Sequence, residues 1–181
     1  GPAPSRHDKG FAAAAMANMV FGGYFSSRLV ANIREDKGYT YSPASFLEHP
    51  SAGSRLQISA DVATAVTGPS VLEIMYELGR IASVAVTQDE LDQARRYAIG
   101  ILSLSTSTQA GLAGYLSQLA AQGIGVEFLR DYPIALEAVT VEDVLEAGER
   151  WFSPRNLTPV LIGDTAVIED KVRALIDVEL G

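Results

Sequence analysis

Two runs decide how this chain folds: Gly38-Tyr39-Thr40-Tyr41-Ser42-Pro43-Ala44-Ser45-Phe46-Leu47, and Arg55-Leu56-Gln57-Ile58-Ser59-Ala60-Asp61-Val62. In the second, Leu56, Ile58, Ala60 and Val62 alternate with Gln57, Ser59 and Asp61. That period of two puts apolar side chains on one face of a strand and polar ones on the other. From Tyr39 to Leu47 aromatic and small residues mix in a strand-like way, and His49-Pro50-Ser51-Ala52-Gly53-Ser54 between the runs is a cluster of turn formers. Together they predict two neighbouring antiparallel strands.

The rest of the chain reads as helices on either side. Gly10 to Phe21 is Ala-rich with Phe11, Met16, Met19 and Val20, a buried helix that Gly22-Gly23 stops. Ser26 is placed to cap a second helix, with Leu29, Val30 and Ile33 on its apolar stripe and Arg28, Asn32 and Glu35 on its polar one. Gly38 then ends it in the left-handed conformation. Downstream, Val71, Ile74, Met75, Leu78, Ile81 and Ala82 recur at helical spacing between about Pro69 and Val86. Thr87-Gln88-Asp89-Glu90 is a capping box opening a helix from Leu91 to about Leu104, and a further helix spans Gln109 to Gln122 up to Gly123. Thr140-Val141-Glu142-Asp143 starts another, closed before Pro154. Leu157 to Ile162 reads as a strand, set at an edge by Pro159, and Gly163-Asp164 leads into a last helix with Val167, Ile168, Val172, Leu175 and Ile176.

Adjacent strands followed by segregated helices define an α+β fold, a mixed and largely antiparallel sheet with helices on one face, over residues 1–181 as a single domain. Three strands make a thin sheet, so further strands are expected upstream of residue 1. A start at Gly1-Pro2 without Met or a signal peptide fits the same expectation of a piece of a longer chain or a processed subunit.

Composition narrows function by exclusion. A net charge of −8 and a sequence pI of about 4.7 oppose binding to nucleic acid or an anionic membrane surface. The apolar run Phe11 to Phe21 is too short to span a bilayer. With no Cys and with His7 and His49 placed apart, the chain cannot assemble a metal site of three protein ligands. Ser45-Phe46-Leu47-Glu48-His49 looks like a His-x-x-Glu-His motif whose first His is replaced, but that motif needs a helix and this segment reads as a strand running into a turn. Asp89, Glu90 and Asp92 are accounted for by a helix N-terminus. The hydroxyls from Ser103 to Thr108 have no nearby His to act as a base.

Arg34 and Tyr41 are different. Arg34 falls in the last turn of the second helix, Gly38 reverses the chain, and Tyr41 starts the next run, so seven residues of sequence become a short distance in space. A guanidinium and a phenol both donate hydrogen bonds to a peptide carbonyl and both can hold the negative charge that grows on its oxygen during hydrolysis. From the residues alone a structural account stands beside this one, with Arg34 supporting the helix C-terminus and Tyr41 packing in the sheet.

The run Gly22-Gly23-Tyr24-Phe25-Ser26-Ser27-Arg28-Leu29, followed by Asn32-Ile33-Arg34-Glu35-Asp36-Lys37-Gly38-Tyr39-Thr40-Tyr41-Ser42, resembles a recurrent stretch in the second half of the pitrilysin and mitochondrial-processing-peptidase family of zinc peptidases, the inverzincins. Thr87-Gln88-Asp89-Glu90-Leu91, Thr140-Val141-Glu142-Asp143-Val144, and Ser153-Pro154-Arg155-Asn156 leading to Val160-Leu161-Ile162-Gly163-Asp164 resemble its later helix starts and closing strand, so the resemblance runs from about Asp8 to Leu175. It implies a two-layer sandwich that is one half of a clamshell enclosing a peptide. The zinc would belong to a partner half on the same polypeptide or a separate subunit, with no cofactor in this chain. In this half Arg34 would bind a backbone carbonyl of the peptide substrate and Tyr41 would stabilise the oxyanion. Tyr39 competes for the phenol role but lies two residues short of the family's spacing. The alternative is a structural or assembly subunit of the same fold, without catalysis.

Overall fold

The computed structural model of the chain describes residues 1–50 and 52–179. Helix α1 (Phe11–Asn18) continues directly into a π-helical turn at Met19–Gly23, and α2 (Arg28–Val30) into a second at Ala31–Asp36. Strands β1 (Ala44–Glu48) and β2 (Arg55–Ser59) follow, and then α3 (Thr67–Ser83), α4 (Gln88–Ser105), α5 (Gln109–Ala121), α6 (Phe128–Ala138), α7 (Val141–Ala147) with a π-helical turn at Gly148–Phe152, and α8 (Thr165–Arg173).

The strands pair antiparallel with Phe46 opposite Gln57 and Leu47 opposite Leu56, and an isolated bridge from Thr40 to Val62 extends the pairing. Only Leu56 of the apolar face is fully enclosed, because the hairpin lies over the helical layer with its other face open. At the far side of β2 the chain's first residues add a short rung. The Gly1 ammonium donates to the Leu56 carbonyl at 2.9 Å, and the Leu56 amide donates back to Gly1 at 2.9 Å.

The core sits where α1 meets α4, α6 and α7 and its π-helical turn meets α3. Ala14, Met16, Ala17, Phe21, Leu29, Ile33, Leu78, Ile81, Leu91, Ala94, Val144 and Phe152 are all buried there. Small residues on α1 let these helices approach closely, and Phe21 meets Phe152 edge to face with centroids 5.6 Å apart. Gly22 is required for the same reason: a Cβ there would lie 2.8 Å from the Ser45 hydroxyl. The glycine pair expected to stop the first helix instead belongs to its π-helical turn, and the chain becomes extended only at Tyr24.

Both expected capping boxes form. The Thr87 and Thr140 hydroxyls accept from the amides of Glu90 and Asp143, whose carboxylates accept from the threonine amides in return. Gly38 takes φ +64, the left-handed conformation expected of it. Three further expectations fail. α2 begins after Ser27 rather than Ser26, and Ser27 makes no capping bond with its side chain. Helix α6 was not anticipated, because Pro133 lies inside it and lacks the amide that a helix interior uses. Leu157 to Ile162 forms no strand among the described residues, and Val160 and Ile162 are 81% and 98% exposed. Pro159 removes a ladder donor there, and the described sheet pairs β1 with β2 alone.

Candidate functional site

Arg34 lies on the π-helical turn that ends α2. Its closure is a widened version of the usual helix stop: the Lys37 amide donates to Asn32 at 3.2 Å, Gly38 to Arg34 at 3.1 Å and Tyr39 to Ile33 at 2.8 Å. Left-handed Gly38 then turns the chain so that Thr40 points inward, its hydroxyl donating to the Asp61 carbonyl at 2.6 Å, and Tyr41 points outward.

The turn is fastened to α3 by a buried polar cluster. The Asn32 side-chain amide donates to Glu77 at 2.8 Å and to Glu73 at 3.1 Å, and the Lys37 ammonium donates to the Asn32 oxygen at 2.8 Å. Arg80 donates to Glu77 from below at 2.9 Å, so the buried carboxylate is both paired and hydrogen-bonded. Arg34 itself takes no part in this cluster and is free to face outward.

There its guanidinium carbon sits over the face of the Tyr41 ring, 4.7 Å from the centroid, and over that of Phe25, 4.6 Å away. Glu35 pairs with the Nε of Arg34 at 3.1 Å. Tyr41 is 81% exposed, so it does not pack in the sheet as the structural account required. The geometry leaves a planar cation with both rings against it and a phenol in solvent at one spot on the surface, a set of donors for a carbonyl or carboxylate oxygen. Tyr39 is turned elsewhere, and lines a shallow groove of about 420 Å³ with Leu72, Glu73 and Leu175.

The remaining sequence candidates have structural partners. Ser45 to Glu48 lie on β1, not on a helix, and Ser45 donates to the Asn18 side-chain oxygen at 2.8 Å. His49 shares a 2.9 Å hydrogen bond with Ser54 and meets Phe11 edge to face, and burial holds its pKa below the ordinary value. His7 contacts the Gln122 carbonyl, a long way from His49 in sequence. Among the described residues no three metal-ligating side chains converge. Asp89 accepts from the Gln93 amide one turn on and Asp92 from the Gln88 amide one turn back, and the Ser103 and Ser105 hydroxyls bond back to carbonyls of α4.

One contact escaped sequence reasoning. Arg28 forms a two-pronged ion pair with Glu90, at 2.7 and 3.0 Å, across 62 residues. The hydrogen bond from Arg28 is the first cause holding the Glu90 carboxyl at about 2, and the capping bonds from Thr87 act in the same direction. Thus one carboxylate closes a capping box and clips α2 to α4.

Comparison with known proteins places this architecture. A family model described as the peptidase M16 inactive domain matches residues 1–97. A Bacillus subtilis protein described as an inactive metalloprotease, YmfF, is 25% identical over 143 residues, covering 79% of this chain and 33% of that protein. The peptidase M16 inactive domain from Pseudomonas fluorescens superposes with a TM-score of 0.71 at 26% identity, over 81% of this chain and 35% of that one. A Bordetella parapertussis structure, described as the inactive peptidase domain of a zinc protease, superposes at 0.75 with 15% identity over 86% of this chain and 84% of that one, a likeness of fold. The class is therefore an α+β peptidase-type domain of the kind that carries no metal motif. The chain belongs to the peptidase M16 family, as its inactive domain. It spans about a third of the length of the YmfF and P. fluorescens chains.

Proposed function

We propose that residues 1–181 act as one domain, the non-metal half of a zinc-dependent peptidase, in which Arg34 and Tyr41 engage a peptide at a zinc site held by another domain or subunit. The observation that carries this reading is the exposed pairing of a stacked guanidinium with a phenol, on a turn whose own polar groups are satisfied by α3. A surface Arg that stabilises the fold would spend its donors on the protein; among the described residues the polar partner of the half-buried Arg34 side chain is Glu35.

When bound in the other half, the zinc supplies Lewis acidity and an activated water. The work of this chain is binding and charge stabilisation. Arg34 holds a substrate carbonyl by in-plane N–H bonds, and the Tyr41 hydroxyl donates to the oxygen of the scissile carbonyl as it gains negative charge. The partners are thus a zinc-bearing half and an extended peptide.

The test is reconstitution with the zinc-bearing half and an internally quenched peptide. Turnover that needs both halves and is lost with Arg34→Ala, Tyr41→Phe combined supports the reading. A zinc-loaded assembly without turnover, stable only when this chain is present, would favour the second reading, a structural subunit, for which the inactive character of YmfF speaks.

A further inference from the structure

The short linker Tyr24 to Ser27 sends two aromatic rings in opposite senses. Tyr24 packs on Tyr97 of α4 with centroids 5.0 Å apart, and the Ser27 amide closes a turn onto the Tyr24 carbonyl at 3.2 Å, so the linker is held at both ends. Phe25 is thereby pushed outward and is 58% exposed, with no place in the core. Its contact is with Arg34, nine residues further on and on another element. The guanidinium is planar and forms hydrogen bonds only in its plane, so a ring against its face costs it no donor and removes freedom from a long side chain. Tyr41 also covers Arg34 but must orient its own hydroxyl, whereas Phe25 has no polar group and can only hold.

We propose that Phe25 is the positioning residue of this site: its ring, fixed by the Tyr24 anchor, orders the Arg34 guanidinium so that the in-plane donors not used by Glu35 face the incoming peptide carbonyl. The inference rests on the peptide-binding role given to Arg34 above. It also assigns a purpose to the aromatic residue of the Tyr24-Phe25-Ser26-Ser27 segment that the Arg/Tyr pair leaves out. Because the ring sets the direction of Arg34 without touching the reacting carbonyl, its removal acts on binding more than on turnover.

Two readouts separate this inference from the reading beneath it. In the full chain, the Nε–Hε resonance of Arg34 is shifted upfield by ring currents. Phe25→Leu, which keeps an apolar side chain but no ring, moves it towards the free-arginine position, and Phe25→Trp restores it. In the reconstituted peptidase, with an internally quenched ten-residue peptide as probe, Phe25→Leu raises KM by about two- to fivefold, the range of an exposed cation–π contact, with kcat nearly unchanged. Phe25→Trp returns KM to the parent value. An Arg34 resonance indifferent to Phe25→Leu overturns the inference, and so does an unchanged KM in that variant where Arg34→Ala raises it. If Arg34→Ala itself leaves KM unchanged, the peptide-binding reading falls and the inference with it.

Discussion

At the scale of the residue, the seven-residue separation of Arg34 and Tyr41 was readable because a helix end, one left-handed glycine and the start of an extended run fix the path between them. The roles proposed for them divide by when each contact is made. If the Tyr41 hydroxyl bonds mainly to the developing oxyanion, its contact is stronger in the transition state than in the bound substrate. Tyr41→Phe then lowers kcat by roughly 10²–10³ with little change in KM, as when one oxyanion donor is removed. If Arg34 grips a carbonyl in ground and transition states alike, as proposed, Arg34→Ala raises KM more than it lowers kcat. Tyr39→Phe is the control and is nearly silent, since a groove-lining ring keeps its shape without the hydroxyl. Steady-state kinetics of the three variants, under conditions where chemistry limits the rate, decide among them. A crippled Tyr39→Phe beside a normal Tyr41→Phe would exchange the two assignments.

At the scale of the element, Glu90 ties two functions to one carboxylate, and its folded pKa of about 2 lies below the 4.5 of a free Glu. A depressed carboxylate pKa contributes stability that is complete above the unfolded value and disappears as pH falls towards the folded one. Urea unfolding of the chain therefore shows a loss of stability between about pH 4.5 and 2, and Arg28→Ala flattens that slope as well as lowering the plateau. Thr87→Ala removes the capping acceptor and costs about 1 kcal/mol, measurable in the same titration. Legibility at this scale followed distance along the chain. The capping boxes were readable because donor and acceptor lie three residues apart, whereas the Arg28–Glu90 clip joins residues far apart in sequence and each partner alone looks like an ordinary surface charge. Helix α6 was hidden by Pro133, which reads as a helix breaker although the helix runs through it and buries Leu136. The expected strand at Leu157–Ile162 failed for the opposite reason: an apolar run becomes a strand only when it pairs, and this one, with Pro159 lacking a ladder donor, pairs with neither β1 nor β2.

At the scale of the whole molecule, the two His rings lie at separate places and each meets a polar protein atom. Equilibrium dialysis of the chain should find no stoichiometric zinc at submicromolar concentration; tight binding would move the metal question into this domain. The α+β architecture was readable from one hairpin and the order of helices around it, and the packing of α1 against α4 and α7, with α3 against α7 and the turn that carries Arg34, supplies the base on which Arg34 is displayed. The π-helical turn under Arg34 has one consequence for variation over time. It closes hydrogen bonds over five residues where an α-helix closes them over four, so the stretch Ala31–Asp36 holds a supernumerary residue relative to regular helix. Each α-helical residue turns the chain by about 100°. Substitutions that let these same residues wind as regular α-helix, with none lost, would carry the chain round by about one residue's turn and swing Arg34 away from Phe25 and Tyr41 while every side chain of the site survived. The aim of Arg34 is thus stored in how this short stretch is wound, as well as in the side chains it carries.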